Sequence, residues 1–248
     1  MKHAAFCLSA LFLLFSPTFS TAQELRETGL ELVLLADASG SIDSEELAFQ
    51  RQGYAEALTD PLVIDAIEQS IYGSIAVTYV EWATNTAQVV DWRIISGIES
   101  AEAFAAALAS APREAFGRNA IGGALREGMR LIVENDIRAP RAVIDFSGDS
   151  MGNSSGPGIG SSRQAVLDAG ITINALPILR PEDGRRAGRD LEALYQQNII
   201  GGPGAFMVTA ETRETFAEAV RRKIFLEIAG LTPDSYDFAE VAVDLGME

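Results

Sequence analysis

Hydrophobic and polar positions follow two different patterns along this chain. Short, unbroken apolar runs with polar residues on either side are typical of buried strands in a parallel sheet. Apolar residues that return every three or four positions indicate helices with one buried face. The apolar runs predict strands at Leu32–Leu35, Ile75–Trp82, Ala87–Ile95, Arg141–Ser147, Ile171–Leu179 and Gly204–Thr209.

Helical patterns fill the intervals between the predicted strands. They cover Ser44–Leu58, Pro61–Gln69, Ser100–Ser110, a segment that opens within Gly117–Leu125 and ends near Asn135, Arg163–Ala169, Leu191–Asn198 and Thr212–Ala229. The last helix is amphipathic, and its apolar stripe consists of Phe216, Val220, Ile224 and Ile228. Each predicted helix is therefore expected to bury one face against the sheet.

The alternation of strands and helices predicts an α/β fold, in which a doubly wound, mostly parallel sheet carries helices on both faces. The short polar link Thr84–Thr86 predicts a hairpin, and with it one antiparallel strand at the edge of the sheet. We find no internal repeat and no linker that would divide the chain. A single domain of this length is common among α/β proteins.

Residues 1–22 have a pattern of their own: a basic start, a short apolar run and small residues at the end. This pattern is typical of a secretory signal peptide, with cleavage after Ala22. The apolar run is shorter than the roughly 20 residues that span a bilayer, although an uncleaved anchor is the alternative. We therefore expect a secreted or periplasmic protein without a membrane span after cleavage. Its single domain is 23–248, of which 231–248 form a weakly patterned acidic tail.

Composition narrows the chemistry that the chain can perform. The formal net charge of −16 opposes binding to nucleic acid and to anionic membrane surfaces. The only histidine is His3 and the only cysteine is Cys7, and both lie in the predicted signal peptide. The mature chain would therefore lack a Ser-His-Asp triad, a cysteine nucleophile, a zinc site of the usual kind and any disulfide. Carboxylate, hydroxyl and amide groups remain, together with a metal ion.

Three oxygen-bearing side chains follow the first apolar run. Asp37, Ser39 and Ser41 occupy alternate positions in the stretch DASGS, where a predicted strand turns into a predicted helix. Carboxylate and hydroxyl oxygens are hard ligands, which select magnesium, manganese or calcium over softer metals. The alternative is an ordinary turn, because aspartate, serine and glycine also favour turns.

A second carboxylate, Asp149, follows the predicted strand Arg141–Ser147. Ligands of open α/β sheets bind beyond the carboxyl ends of the strands, where the strand order reverses. If the two strands are neighbours, Asp37 and Asp149 meet in one crevice. Asn119 lies before the same strand and could bind a metal or cap a helix. For Asp145, inside the apolar run, we expect a structural pairing, because an unpartnered buried carboxylate is costly.

These segments resemble the metal-ion-dependent adhesion site of von Willebrand factor type A (VWA) domains. That family has Asp-x-Ser-x-Ser after its first strand, a threonine in a later loop and an aspartate after a later strand. The stretch DASGS matches the first part, and Asp149 matches the last. The segment GRNAIGGAL places Asn119 where the family has threonine, and Ser150 replaces the usual glycine. The resemblance covers roughly Leu30 to Ala229. The Gly-Asp-Ser segment around Asp149 and the stretch IIGGPGAF resemble an uncharacterised family of secreted bacterial proteins with this domain.

The resemblance implies a protein-binding module of the adhesion type and not an enzyme. Its divalent cation, magnesium or else manganese or calcium, would be bound by Asp37, Ser39, Ser41, Asn119 and Asp149. A carboxylate of a partner protein would complete the coordination, and no nucleic acid would be involved. Two alternatives remain open: a metal-dependent hydrolase or phosphoesterase, and a structural envelope protein with a stabilising metal. Nothing in the sequence indicates the oligomeric state.

Overall fold

A computed structural model of the protein describes residues 26–179, 187–213 and 215–235. The predicted signal peptide and most of the predicted tail lie outside these residues. The strands in this part are β1 (Arg26–Glu27), β2 (Glu31–Asp37), β3 (Ile75–Trp82), β4 (Thr86–Ile95), β5 (Ile137–Arg138), β6 (Ala142–Gly148) and β7 (Thr172–Pro177). The helices are α1 (Ser44–Thr59), α2 (Pro61–Glu68), α3 (Ile98–Ser110), α4 (Ile121–Val133), α5 (Ile159–Asp168), α6 (Ala187–Asn198) and α7 (Phe216–Ala229). Among the described helices, none has the length and apolar character needed to cross a membrane.

The central sheet has the strand order β4-β3-β2-β6-β7. All its neighbouring strands run parallel, except that β4 pairs antiparallel with β3. This confirms the predicted α/β class, the mostly parallel sheet and the antiparallel edge strand. The chain leaves β2 toward β3 on one side and later returns to place β6 on the other side. The strand order therefore reverses between β2 and β6, where a ligand site is expected.

Two apolar clusters cover the two faces of the sheet. Along β2, Leu32 and Leu34 belong to the cluster that α1, α2, α3 and α7 complete. Val33 and Leu35 belong to the cluster on the opposite face, with residues of α4, α5 and α6. Successive side chains of a strand point to opposite faces, so a strand between two helical layers is apolar at most of its positions. The continuous apolar run from Leu32 to Ala36 follows from this position.

The structure differs from the sequence prediction at several boundaries. The predicted strand Gly204–Thr209 is wrong: this segment forms a single isolated bridge, between Met207 and Ala175 of β7. Its backbone bends because Gly202 and Gly204 have positive φ angles of 96° and 66°. In addition, the side chain of Asn174 accepts a hydrogen bond from the amide of Phe206 (3.0 Å), in place of a strand partner. Helix α7 begins later than predicted and α5 begins earlier, and the short pair β1–β5 was not predicted.

A buried ionic cluster fixes α7 to the sheet. Lys223 Nζ lies 2.7 Å from Asp145 Oδ1 and 2.5 Å from Glu227 Oε1. Asn174 donates a hydrogen bond to the same oxygen of Glu227 (2.9 Å). Burial raises the pKa of Glu227 to about 7, although Lys223 acts in the opposite direction. The structural pairing predicted for Asp145 is confirmed, and its partner comes from the last helix.

We predict that Lys223→Met lowers the free energy of unfolding by about 3–5 kcal/mol, because it leaves Asp145 and Glu227 buried without their cation. Chemical denaturation measures this loss. The matched control is Arg130→Met, since Arg130 also contacts two glutamates, but on the surface of α4. That change should cost no more than about 0.5 kcal/mol. Equal losses for the two variants would contradict the structural importance of the cluster.

Candidate metal centre

The candidate site lies where β2 ends and α1 begins. A capping box fixes the start of α1: the amides of Glu45 and Glu46 donate to Asp43 Oδ1, and the Glu46 side chain accepts from the Asp43 amide. Between Asp37 and Asp43 the chain therefore has only a short loop, fixed at both ends. This loop carries the two serines of the sequence motif.

The structure brings four of the predicted site residues together in one chain of polar contacts. The Ser39 amide donates to Asp37 Oδ1 (2.8 Å). The hydroxyl oxygens of Ser39 and Ser41 lie 3.2 Å apart. Ser41 in turn donates to Asp149 Oδ1 (3.3 Å), which joins positions 108 residues apart. Asp149 reaches this place because β6 lies directly beside β2.

The spacing of these oxygens fits a small divalent cation. Two adjacent ligands of an octahedral ion with bonds of 2.0–2.1 Å lie about 3 Å from each other, close to the 3.2 and 3.3 Å found here. Asp37 Oδ2 is buried and has no hydrogen-bond partner in the described part of the chain, which is costly unless a positive group is supplied. The described residues contain no cluster of three His, Cys, Asp or Glu side chains for a metal. A cation here would therefore depend on the serine hydroxyls.

The pKa of Asp37 also favours a cation at this site. Its side chain is fully buried, and this burial, with a further contribution from the charge of Asp149, raises its pKa to about 7. Hydrogen bonds from Ser39 lower the pKa only in part. A cation held between the two carboxylates would favour their ionised forms.

Aromatic side chains pack tightly beneath the two carboxylates, and Gly148 makes this packing possible. A Cβ at Gly148 would lie 2.9 Å from Trp82, 2.9 Å from the Tyr195 hydroxyl and 3.2 Å from Asp37 Oδ2. Trp82 donates to Ser147 O (3.1 Å), and Tyr195 donates to the backbone oxygen of Ser150 (3.2 Å). The missing side chain at 148 therefore allows β6 to approach Asp37 closely.

Asn119, the fifth predicted residue, is connected to the other four through Ser150. Its amide nitrogen donates to Ser150 Oγ, next to Asp149. The alternative that Asn119 caps a helix is wrong, because the first residue before α4 is Ala120, which has no side-chain cap. Instead, Asn153 accepts a hydrogen bond from the Gly122 amide (3.0 Å). The loop after Asp149 thus crosses the start of α4, and Asn153 on this loop supplies the side-chain acceptor at the start of the helix.

Two arginines that the sequence did not single out position the loops of the site. Arg113 donates to the carbonyl oxygens of Ala38 and Ile42 (3.1 Å to the latter), and so holds the loop that carries Ser39. Arg51 forms a buried salt bridge with Glu81 and donates to the carbonyl oxygens that precede Arg113. In the sequence, both arginines have the appearance of ordinary surface cations.

Comparison with known proteins places the chain among proteins of one fold. The family described as "Protein of unknown function (DUF1194)" matches residues 27–232. No curated protein matches significantly. The pilus adhesin SpaC from Lactobacillus rhamnosus GG is similar, with 16% identity and a TM-score of 0.58. The match covers 81% of this chain but only 30% of SpaC.

Two further structures carry the name of the fold or its metal motif. The vWF domain of the type V pili tip protein Mfa5 from Porphyromonas gingivalis is 9% identical with a TM-score of 0.53, over 87% of this chain and 99% of that domain. Proximal thread matrix protein 1 from the mussel byssus, with a zinc-occupied MIDAS motif, is 14% identical with a TM-score of 0.51. That match covers 79% of this chain and 46% of the mussel protein. At such identities the likeness shows the fold alone.

We predict that Gly148→Ala destabilises the protein by about 1–3 kcal/mol, because the added methyl group must displace an aromatic ring or Asp37. Chemical denaturation measures the loss, and the emission of Trp82 should change in the native state. The control is Gly160→Ala on α5, where nothing lies within 4 Å of the added Cβ. That variant should be as stable as the wild type or slightly more so. A neutral Gly148→Ala would show that the close approach of β6 to Asp37 is not required.

Proposed function

Given that the chain belongs to the DUF1194 family and has the fold of a von Willebrand factor type A domain, we propose that it is a protein-binding module that depends on a divalent cation. The observation that carries this proposal is the chain of polar contacts that runs from Asp37 through Ser39 and Ser41 to Asp149. The oxygens of Ser39, Ser41 and Asp149 are hard ligands at the spacing of one small ion. They lie at the reversal of strand order, where α/β sheets bind ligands.

Each residue has a distinct part in this proposal. Ser39, Ser41 and Asp149 hold the ion. Asp37 accepts a hydrogen bond from the Ser39 amide and contributes a buried negative charge next to the ion. Asn119 contacts Ser150, the residue after Asp149, and is the remaining candidate ligand. The ion, magnesium or else manganese or calcium, supplies an open coordination position for a carboxylate of the partner protein. Ser41 is exposed, so a partner could approach the site from solvent.

The comparisons support a role in binding and a location outside the cytoplasm. Similar structures include a pilus adhesin and a pilus tip protein, and one VWA-fold structure has zinc in its metal motif. We therefore propose a secreted or periplasmic protein with a signal peptide at residues 1–22. The burial of Asp37 argues against its use as the nucleophile of a phosphoesterase, because a substrate could not reach it. The proposal is therefore a binding module and not an enzyme.

We predict that millimolar magnesium, manganese or calcium raises the melting temperature of the wild type by roughly 5–10 °C. This follows from a stabilisation of about 2.7 kcal/mol when the ion is at a hundred times its Kd, in a domain of this size. Asp37→Asn and Asp149→Asn should remove the shift, since each deletes one charge from the site. Thermal melts with EDTA and then with each ion measure the effect.

The control for these melts is Asp65→Asn, which changes an exposed carboxylate on α2 by the same charge. It should retain the full metal shift. The site assignment would be wrong if the wild type showed no shift with any of the three ions. It would also be wrong if the two site variants shifted as much as the control.

A further inference from the structure

A loop beside the candidate metal centre presents an aromatic ring and a cation to solvent. We call Phe116–Arg118 the rim loop. Phe116 is 56% exposed, although burial of an aromatic ring normally stabilises a fold. Arg118 is exposed, and no ion pair among the described residues includes it. Both side chains are therefore available to a partner.

Hydrogen bonds fix the rim loop in place. The Phe116 amide donates to Asn85 Oδ1 (2.9 Å). Thr84 Oγ1 accepts from the Arg118 amide (2.8 Å) and donates to the Arg118 carbonyl oxygen (3.1 Å). Gly117 between them has a φ of 107°, and a Cβ there would lie 2.5 Å from Thr84 Oγ1. The loop is thus held rigidly although its side chains point outward.

The rim loop is also joined directly to the stretch that carries the serines. The Gly40 amide, between Ser39 and Ser41, donates to the Gly117 carbonyl oxygen (2.8 Å). The guanidinium of Arg113, which holds the same stretch, lies 5.4 Å from the centre of the Phe116 ring. A partner that reaches the serines therefore passes next to Phe116 and Arg118. Exposed aromatic and arginine side chains on a rigid backbone are the usual anchors of protein interfaces.

We propose that Phe116 and Arg118 select the partner of the metal centre, an inference that rests on the proposed function. The partner segment carries an apolar side chain and a second acidic residue close to the carboxylate that binds the ion. The apolar side chain packs on the Phe116 ring, and the second carboxylate pairs with Arg118. Charge complementarity supports this choice, because the exposed guanidinium of Arg118 lies on a loop bonded to the serine-bearing stretch and has no carboxylate partner among the described residues.

A library of cyclic peptides with one fixed aspartate tests this inference. The library is displayed on phage, bound to immobilised protein in magnesium and eluted with EDTA. For the wild type, we expect enrichment of an apolar residue and a second acidic residue near the fixed aspartate. For Arg118→Glu, we expect the second position to change from acidic to basic. Both side chains are exposed, so these variants should keep the wild-type melting temperature, which is measured first.

The best wild-type peptide is then synthesised, and its Kd is measured by fluorescence polarisation. Phe116→Ala and Arg118→Glu should each weaken binding by about tenfold or more. Replacing the acidic residue of the peptide by lysine should restore binding to Arg118→Glu. The controls are Ile71→Ala and Arg138→Glu, which change exposed residues at the opposite end of the sheet. They should alter the Kd by less than about twofold.

Three other outcomes would overturn the inference, and they distinguish it from the proposed function. If peptides bind in a magnesium-dependent way but the rim variants behave like the controls, the rim loop does not select the partner and the proposed function stands. If no peptide is enriched while metal still raises the melting temperature, the inference falls and the metal site stands. If neither enrichment nor a metal shift is seen, both are wrong.

Discussion

Two carboxylates, those of Asp37 and Asp145, are buried in the central sheet, and the rest of the structure depends on the groups that surround each of them. Asp145, inside β6, is matched by Lys223 at 2.7 Å, and this pair fastens α7 to the sheet. Asp37, at the end of β2, is just as deeply buried, but the groups that lower its pKa are mainly hydrogen-bond donors and not a cation. Lys223 thus balances the charge of Asp145, whereas Asp37 keeps a raised pKa of about 7. The proposed ion would supply the positive charge that no described side chain near Asp37 provides.

The architecture around Asp37 consistently limits movement. Apolar clusters on both faces of the sheet fix β2 and β6 side by side. Gly148 lets the aromatic rings pack directly beneath Asp37, and Arg113 holds the carbonyl oxygens of the serine-bearing loop. Such preorganisation keeps the ligand oxygens at a fixed spacing before an ion arrives, so that little conformational entropy is lost on binding. The same rigidity extends to the rim loop, which makes its exposed side chains suitable for selecting a partner.

Much of the fold could be predicted from the sequence, because parallel strands between two helical layers are apolar at most positions, as β2, β3 and β6 are. The same topology predicts that Asp37 and Asp149 lie close together, because both follow the carboxyl ends of neighbouring parallel strands. Other features depend on contacts between distant segments. Asn153 caps α4 in place of Asn119, and Lys223 is buried because Asp145 lies opposite, yet neither is distinguished by its neighbours in sequence. Arg113 is similar: its role is visible only once the carbonyl oxygens of the DASGS loop lie against it.

The most direct test of this account is the position of manganese in crystals grown with millimolar manganese chloride. Anomalous diffraction locates the ion without assumptions about its ligands. We predict one strong peak at bonding distance from the hydroxyl oxygens of Ser39 and Ser41, in the crevice in front of Asp149. The account would be contradicted if that crevice showed no manganese while the two serines and Asp149 kept their hydrogen bonds to one another.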